Sequence, residues 1–324
     1  MDKINWKDAN VLVTGADGFI GSHVAKALIE KHAQVTTIVR DMKKYNNIDT
    51  LNIKNEINIV NGNLVNFKDC ERAINEYDIE FCFHIAAQAI VGPANRSPLS
   101  TFESNIKGTW NILESCRISK TVKGLVVASS DKAYGQQERL PYTEDSPLNG
   151  YFPYDASKAC AELLAKSYFM TYKLPLAITR NANTYGPADM NLSRIIPDVI
   201  TRLIRNEQPI IRSDGTPERD YIYIKDAVNS YLTLAENLHR EDVIGQAFNF
   251  GTGKPISVLD LYNKIIKLMD KNAKPKILGE AKNEIDKQYL DSQKAKKILN
   301  WEAGYDLDSG LKETIEWYRN YFQK

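Results

Sequence analysis

Short apolar runs alternate with helix-period segments through the first half of the chain. The runs cover residues 11–14, 35–39, 57–60, 81–85, 125–129 and 176–179. Apolar runs of this length, bounded by polar and turn-forming residues, predict buried strands. Between them, apolar residues recur at three- and four-residue spacing over 20–31, 67–76, 99–119 and 154–172, which predicts amphipathic helices.

Ser97 and Pro98 support the start of the third helix, because a capping residue followed by proline is typical of a helix N-terminus. Strands that alternate regularly with helices predict a parallel sheet with helices on both faces. The predicted fold class is therefore α/β, a doubly wound parallel sheet of the Rossmann type.

The pattern loosens after Arg180. Turn-rich segments lie at 185–189 and 213–218, helix patterns return at 226–238, 258–270, 292–299 and 310–322, and a short strand is predicted at 247–250. A chain of 324 residues also exceeds the size at which one core keeps growing. We therefore expect a dinucleotide-binding domain over 1–181, to which about 220–252 returns, and a smaller mixed α/β substrate domain over 182–219 and 253–324.

Charge and composition exclude several classes of protein. The chain has 42 Lys plus Arg against 41 Asp plus Glu, so no basic field exists to attract nucleic acid or an anionic membrane. The first residues are charged where a signal peptide is apolar, and no apolar stretch reaches about 18 residues. A cytoplasmic location is expected. Four scattered cysteines predict reduced thiols and no metal site: Cys70, Cys82, Cys116 and Cys160.

Three glycines follow the first predicted strand directly. Gly15, Gly18 and Gly21 are three residues apart and lead into the first predicted helix. Glycines at such a turn let backbone N–H groups and the helix N-terminus approach a pyrophosphate. Because more strand and helix alternations follow, this turn predicts a dinucleotide site.

The end of the second strand bears on which dinucleotide is bound. An NAD site usually has a carboxylate there for the ribose hydroxyls, whereas this chain has Val39 and then Arg40. A guanidinium suits a 2′-phosphate, so NADP is favoured and NAD is the alternative, since Asp41 would supply an acid after a small shift. Asn63, after the third strand, is a candidate for the adenine edge or an ordinary turn residue.

Tyr154 and Lys158 lie four residues apart at the start of a long predicted helix and therefore share a face. A phenol acts as a base near neutral pH only beside positive charge, which Lys158 and an oxidised nicotinamide would supply. Ser130, Asp131 and Lys132 follow the fifth strand, and ligands gather at the carboxyl ends of parallel strands. These five residues are the catalytic candidates.

Several motifs together resemble the extended short-chain dehydrogenases/reductases that act on sugar nucleotides, over essentially the whole chain. They are Gly15-x-x-Gly18-x-x-Gly21, His84-Ile85-Ala86-Ala87-Gln88, Asn105 with Gly108-Thr109, the serines before Tyr134-Gly135, Tyr154 with Lys158, and Asn183-Thr184-Tyr185-Gly186-Pro187. The cofactor contacts that the resemblance implies are Gly15, Asp17, Gly18, Phe19, Ile20, Gly21, Arg40, Asn63, Leu64, Ala86, Gln88, Asn105, Tyr154 and Lys158. His84 itself is expected to be a hydrogen-bonded core residue.

The residues after the catalytic serine separate subgroups of this family. Ser130-Asp131-Lys132 is similar to the Thr-Asp-Lys of CDP-glucose 4,6-dehydratases, as is the stretch 189–198, whereas Ile38-Val39-Arg40 resembles the NADP-using GDP-mannose enzymes. The leading hypothesis is therefore a nucleotide-hexose 4,6-dehydratase. In it, Tyr154 deprotonates the 4-hydroxyl, Lys132 takes the C5 proton, and Asp131 protonates the departing C6 hydroxyl.

Two other hypotheses stay open. A sugar-nucleotide 4-epimerase needs only Ser130, Tyr154 and Lys158, and a non-catalytic dinucleotide sensor could use the same fold. A nucleotide-sugar substrate implies donors for two phosphates, for which the candidates are Asn183, Arg194, Arg212 and Arg219. By resemblance, helices 99–119 and 154–172 pair across a two-fold axis as a four-helix bundle, which gives a homodimer.

Overall fold

The computed structural model describes residues 4–280 and 285–323, so the outermost bounds of the two predicted domains lie outside it. The strands are β1 Asn10–Thr14, β2 Gln34–Val39, β3 Ile57–Asn61, β4 Phe81–His84, β5 Gly124–Ala128, β6 Leu176–Asn181, β7 Asn183–Tyr185, β8 Ile210–Ile211, β9 Glu218–Arg219, β10 Tyr221–Tyr223, β11 Ala247–Phe250, β12 Ile256–Ser257, β13 Lys276–Ile277 and β14 Lys287–Gln288.

Seven of these strands form one parallel sheet in the order β11-β6-β5-β4-β1-β2-β3. All six apolar runs of the first half and the short run at 247–250 belong to it, so the predicted doubly wound α/β fold is confirmed. The strand order reverses between β1 and β4, whose last residues Thr14 and His84 are register partners. A ligand of such a sheet binds in the crevice at this reversal, beyond the carboxyl ends of the strands.

The helices are α1 Phe19–Glu30, α2 Asn47–Thr50, α3 Phe67–Glu76, α4 Val91–Arg96, α5 Pro98–Phe102, α6 Gly108–Ile118, α7 Pro153–Tyr172, α8 Ile195–Ile204, α9 Ile224–Glu236, α10 Val258–Met269, α11 Gln293–Leu299 and α12 Leu307–Phe322. The periodic segments all appear among them with small shifts in their bounds. Helix α8 was not predicted, because its sequence is rich in isoleucine and valine and contains Pro197, which lowers its helix propensity.

The predicted helix over 99–119 is divided in the structure. A π-helical segment, Glu103–Lys107, lies between α5 and α6. Ser97 does occupy the N-cap position before Pro98, but its side chain makes no capping bond and instead contacts the hydroxyl of Ser100 at 2.8 Å. A π segment inside a helix is frequent at functional sites, and this one contains Asn105.

Side chains of the central strands point alternately to the two faces of the sheet. Leu12 and Leu125 belong to a cluster that packs on one face with residues of α3, α6 and α7. Val11, Val13 and Val126 belong to the larger cluster on the other face, with residues of α1 and α9. Each buried aliphatic side chain of this kind contributes about 1.5–3 kcal/mol to folding, so both helical layers are firmly attached to the sheet.

The chain after residue 181 forms small sheets and also returns to the large one. Strand pairs β10-β7 and β13-β8 and the three strands β12-β9-β14 lie outside the large sheet, while β11 extends it beside β6. Within the described residues, no helix has both the length and the apolar character needed to cross a bilayer. The four cysteines are free thiols, as predicted, and all but Cys160 are buried.

Candidate active site

The glycine turn after β1 is built for close approach of backbone. Gly15 has a φ of +77°, a conformation that favours glycine, and a Cβ there would lie 2.9 Å from the Cα of Ala86. A Cβ on Gly21 would lie only 2.2 Å from the carbonyl oxygen of Gly15. The first and third glycines of the motif are therefore required by packing, and the turn closes tightly against β4.

The N-terminus of α1 presents its backbone N–H groups without a side-chain cap. Gly18 is the N-cap residue, no side chain caps the helix, and no acidic residue lies in its first turn. Phe19 and Ile20 form that first turn and are half-buried. Uncapped N–H groups and the positive end of the helix dipole suit a pyrophosphate, so these residues fit the group that the glycine spacing implies.

Arg40 lies at the end of β2, as expected, and is exposed. Its Nε is 2.6 Å from Oδ2 of Asp41, while Val39 is buried. The guanidinium thus lies just beyond the carboxyl end of β2, with a carboxylate beside it.

Asn63 and Leu64 lie in the turn after β3. The side-chain oxygen of Asn63 accepts a hydrogen bond from the N–H of Val65 at 3.1 Å, which is the behaviour of a turn asparagine. The carbonyl of Leu64 accepts from the side chain of Asn111 at 2.7 Å. Helix α6 therefore holds this turn at the same edge of the sheet as the glycines.

A buried chain of hydrogen bonds runs from the glycine strand to the π segment. Thr14 Oγ1 lies 3.0 Å from Nδ1 of His84, and Nε2 of His84 lies 3.0 Å from Oγ1 of Thr109. Thr109 in turn donates to the carbonyl of Asn105 at 2.6 Å. Burial, together with the nearby Lys158 ammonium, lowers the pKa of His84 to about 3, so the ring is neutral. His84 is a core residue, as predicted, and it connects two parts of the site.

Asn105 continues this chain toward Tyr154. Its amide brackets the backbone of Gln88, accepting from the N–H at 2.7 Å and donating to the carbonyl at 3.1 Å. Its Nδ2 also donates to Ser157 Oγ at 2.9 Å, and that hydroxyl donates to the carbonyl of Tyr154 at 2.6 Å. Asn105 therefore positions both the segment after β4 and the first turn of α7. In the sequence, this role was indicated by the motif of Asn105 with Gly108-Thr109 and by its position inside the predicted helix 99–119.

Tyr154 and Lys158 lie on α7 above the end of β5. The Nζ of Lys158 donates to the carbonyl of Ala128 at 2.8 Å, and burial lowers the pKa of Lys158 to about 8. Burial raises the pKa of the Tyr154 phenol, against which the positive charge of Arg194 and hydrogen bonding with Ser130 act to lower it. The serine at the strand end and the phenol on the helix are thus brought together.

The segment after Ser130 forms one 3₁₀ turn, Asp131–Tyr134. Ser130 Oγ caps the turn by accepting from the N–H of Lys132 at 3.2 Å and donates to Oδ1 of Asp131 at 3.0 Å. Asp131 is only 2% exposed. Its burial raises the pKa of its carboxyl, which the charge of Lys132 partly counteracts.

Asp155 is a site residue that the sequence analysis did not identify. It follows Tyr154 on α7, is 4% exposed, and its backbone packs against Gly150. Burial raises the pKa of Asp155 to about 6, with Lys132 acting to lower it and Asp131 to raise it further. A charged residue beside the tyrosine was the available signal, but an acid in the first turn of a helix is also ordinary.

A buried polar network fixes the other end of the strand-tip turn. The phenol of Tyr134 donates to Oδ1 of Asn249 at 2.7 Å and accepts from Arg180 at 2.5 Å. The guanidinium of Arg180 also pairs with Glu162 of α7, and both side chains are almost fully buried. The turn that carries Ser130, Asp131 and Lys132 is therefore attached to β6, β11 and α7.

The four candidates for phosphate binding lie in different surroundings. Arg194 pairs with Asp189 at 2.9 Å, and its guanidinium lies 5.9 Å from the ring centroid of Phe19 on the glycine turn. Arg212 is exposed and donates to the carbonyl of Ser193 at 2.7 Å. Arg219 is buried, and its guanidinium donates to the carbonyl of Glu218 at 2.8 Å.

Asn183 begins β7, where its side chain donates to the carbonyl of Asp220 at 3.3 Å. It is therefore attached to the segment that carries Arg219. Arg194, by contrast, lies beside the glycine turn, and its positive charge lowers the pKa of the Tyr154 phenol. Arg219 also lies near enough to the strand-tip turn for its charge to lower the pKa of Asp131, so Arg194 and Arg219 act on different candidate residues.

Comparison with known proteins agrees with this arrangement. The family model described as GDP-mannose 4,6 dehydratase matches residues 12–314. A putative UDP-glucose 4-epimerase of Methanocaldococcus jannaschii is 34% identical over 96% of this chain and 98% of its own length. A trifunctional enzyme of Arabidopsis thaliana, with UDP-glucose 4,6-dehydratase as its first activity, is 31% identical over 98% of this chain. The chain spans about half the length of that relative, 48%.

Solved structures show the same fold over nearly the whole chain. The UDP-glucose 4-epimerase of Thermotoga maritima, solved with UDP-glucose, has a TM-score of 0.89 at 29% identity and covers 97% of this chain and 99% of its own. The dTDP-glucose 4,6-dehydratase of Bacillus anthracis, in complex with NAD, has a TM-score of 0.84 at 25% identity and covers 97% and 98%. Both activities occur on one architecture, so the choice between them depends on the residues of the site.

Proposed function

The chain belongs to the family of extended short-chain dehydrogenases/reductases that act on sugar nucleotides, and we propose that it is a nucleotide-hexose 4,6-dehydratase. The proposed reaction converts a hexose of the CDP-glucose or GDP-mannose type into its 4-keto-6-deoxy derivative. The observation that carries this proposal is the buried Asp131 carboxyl, with its raised pKa, in one turn with Lys132 and beside Ser130 and Tyr154. An epimerase has no step that needs such a proton donor.

Four residues of the site take part in the proposed proton transfers or position the hydroxyl. A dinucleotide held at the glycine turn would supply the hydride chemistry of the reaction, oxidation at C4 and reduction at C6. Tyr154 takes the proton of the 4-hydroxyl, and Ser130 orients that hydroxyl by hydrogen bonding. The ketone at C4 acidifies C5–H, whose proton Lys132 receives. Asp131 protonates the C6 hydroxyl as the C6–O bond breaks, and water leaves.

The protons balance over one cycle. Lys132 returns its proton to C5 when C6 is reduced. Tyr154 ends with one proton more and Asp131 with one proton fewer than at the start, so a transfer between these two restores the site. The two groups interact electrostatically, since the charge of an ionised Asp131 raises the pKa of the Tyr154 phenol.

The test is incubation of the whole chain with CDP-glucose, GDP-mannose, UDP-glucose and dTDP-glucose, followed by mass analysis. A product lighter by one water, with a keto group at C4, is expected from at least one of them. Asp131→Asn should leave oxidation at C4 intact and slow loss of water about a hundredfold, as for removal of a general acid. Asp145→Asn, an exposed aspartate in the following loop, is the matched control.

A 4-epimerase is the second candidate function. The Methanocaldococcus and Thermotoga proteins carry that name, and Ser130, Tyr154 and Lys158 suffice for the reaction. A product of unchanged mass with C4 inverted, formed equally well by Asp131→Asn, would establish the epimerase and rule out the dehydratase.

For the cofactor we propose NADP, with NAD as the alternative. The exposed Arg40 guanidinium after a buried valine supports NADP, since guanidinium binds phosphate oxygens well. Against it stand the pairing of Arg40 with Asp41 and the NAD bound to the Bacillus anthracis homologue. The Arg40 experiment in the Discussion distinguishes the two.

Substrate phosphates are proposed to bind at Arg219 and Asn183, with Arg194 and Arg212 at the rim. This assigns substrate binding to 182–219 and 253–324 and cofactor binding to the sheet domain, which residues 220–252 rejoin through α9 and β11.

We also propose a homodimer formed by α5 to α7. These helices carry large apolar side chains that are exposed in the single chain, among them Leu99, Trp110, Ile118, Leu163, Met170 and Tyr172. Covering such a face with the same face of a second copy gives a four-helix bundle with two-fold symmetry.

A further inference from the structure

Gln288 connects the substrate region with the catalytic turn. It is the second residue of β14, is fully buried, and lies opposite Arg219 in the parallel pairing of β14 with β9. Its Nε2 donates to the carbonyl oxygen of Asp131 at 2.8 Å. Gln288 thus holds the backbone of Asp131, the proposed acid. The two residues are more than 150 positions apart in the sequence.

The same pair leaves two buried oxygen atoms unsatisfied. Within the described part of the chain, neither Oε1 of Gln288 nor Oδ2 of Asp131 has a hydrogen-bond partner. A buried acceptor without a donor costs about 1–3 kcal/mol. Buried polar groups in proteins are rarely left in this condition, and these two belong to residues already joined by the hydrogen bond from Nε2 of Gln288.

A proton on Asp131 would give both of these buried oxygen atoms a hydrogen-bond partner. It would convert Oδ2 from an acceptor into a donor, and the amide oxygen of Gln288 would accept from it. The amide oxygen shares its carbon with the Nε2 that already bonds the backbone of Asp131. One glutamine side chain can therefore hold the backbone and the carboxyl of the same residue.

We propose that Gln288 is a positioning residue that fixes Asp131 in its turn and accepts a hydrogen bond from its protonated carboxyl. The inference deepens the proposed function, on which it rests for the role of Asp131 as an acid. Burial raises the pKa of Asp131, in agreement with a bound proton. The carboxyl is then protonated before substrate arrives, and its proton stays hydrogen-bonded to Gln288 until the C6 hydroxyl accepts it.

Charged and titratable groups from several elements face Asp131. They are Lys132 of its own turn, Arg219 and Asp220 at β9, Tyr154 and Asp155 of α7, and Tyr142. Any pH titration of the cluster includes their contributions. Variants of Asp131 and Gln288 are therefore needed to identify the signal.

The test is infrared spectroscopy of the unliganded protein at neutral pH, which detects the C=O band of a protonated carboxyl without any turnover. Wild type should show such a band, and Asp131→Asn should lack it. Gln288→Met, which keeps the side-chain length and removes the amide, should shift the band. Gln208→Met is the matched control, because Gln208 is exposed and its side chain donates to the carbonyl of Lys274, far from Asp131 in the sequence.

Gln288→Glu provides a second test, in which the direction of the change in the pH dependence of the band is predicted. It keeps an acceptor oxygen and adds negative charge, which opposes ionisation of Asp131, so the band should persist to higher pH. In turnover, Gln288→Met should slow loss of water about tenfold and leave KM and oxidation at C4 unchanged. If Gln288 had only a structural role, Gln288→Met would change stability. It would change neither the infrared band nor the rate of water loss relative to oxidation at C4.

The outcomes separate the two proposals. Absence of the Asp131 band in wild type, or a band unchanged by Gln288→Met, overturns the role of Gln288. If the band behaves as expected but no sugar nucleotide loses water, the role of Gln288 stands and the dehydratase proposal fails.

Discussion

The ammonium of Lys158 donates a 2.8 Å hydrogen bond to the carbonyl of Ala128, the last residue of β5. This bond anchors the catalytic helix to the strand end that leads to Ser130. The lysine is 5% exposed, so its charge has little contact with water. Burial of a charge is costly, and the pKa of Lys158 falls from 10.5 to about 8 as a result.

The first prediction concerns the stability of Lys158→Met. A lowered lysine pKa means that the unfolded chain binds more protons between about pH 8 and 10.5, so this residue's contribution to stability rises with pH across that window. At pH 7 the shift corresponds to a cost of about 3 kcal/mol, partly offset by the hydrogen bond. Lys158→Met should therefore raise the free energy of unfolding by about 1–3 kcal/mol, and its turnover should be lost.

Denaturant unfolding at pH 7 and pH 10 checks this prediction. The gain should shrink at the higher pH, where wild-type Lys158 is neutral. Lys166→Met, which removes a partly exposed lysine of the same helix, is the control and should show no gain. A Lys158→Met protein less stable than wild type at both pH values contradicts the argument.

The second prediction concerns Tyr154→Phe. The change removes only the phenolic oxygen, so cofactor should bind with unchanged affinity while oxidation at C4 slows about a hundredfold or more. Single-turnover absorbance of the reduced cofactor measures the step, and fluorescence titration measures binding. Tyr151→Phe, an exposed neighbour, is the control. Persistent oxidation in Tyr154→Phe would remove the phenol from its proposed role.

The third prediction tests the cofactor. Arg40→Ser should weaken NADP binding about tenfold, since a charge-assisted bond to phosphate is lost, and leave NAD binding unchanged. Asp41→Asn should strengthen NADP binding, because it frees the guanidinium and removes a negative charge beside it. Calorimetric titration of both variants with both cofactors gives the four affinities. If Arg40→Ser lowered the affinities for NAD and NADP equally, Arg40 would not be the residue that binds the 2′-phosphate.

The fourth prediction tests the helical face. Leu163 of α7 is 59% exposed in the single chain, and Leu163→Asp should convert a dimer into a monomer because it places charge in an apolar interface. Light scattering after size exclusion measures the mass. Leu259→Asp, on α10 outside this face, should remain dimeric. A monomeric wild-type chain would remove the dimer proposal.

Periodicity predicted the large sheet well, because its strands and covering helices alternate with clear apolar patterns. Helix α8 escaped prediction, since tertiary packing overrides the weak propensity of its branched residues. The short strands of the second region were also missed. Pairs such as β9 and β14 hold two residues each and form only through contacts between distant segments, which local sequence does not encode.

The positions of the catalytic candidates in the fold were predictable, because these residues follow a strand end or share one helix face. The places of Gln288 and Asp155 were not, because Gln288 is buried against a turn distant in sequence and Asp155 is buried beside Gly150. A glutamine between a lysine and a tyrosine carries no pattern of its own. Contacts of this kind become visible only with the fold.

The hydrogen-bonded series from Thr14 through His84, Thr109, Asn105 and Ser157 to the backbone of Tyr154 has a consequence for protein engineering. Strand β1 and helix α7 are joined by one continuous set of matched donors and acceptors. A chimera that takes the glycine strand from one relative and the tyrosine helix from another must transplant these polar residues as a set, or it will misalign the phenol even when both parents are active.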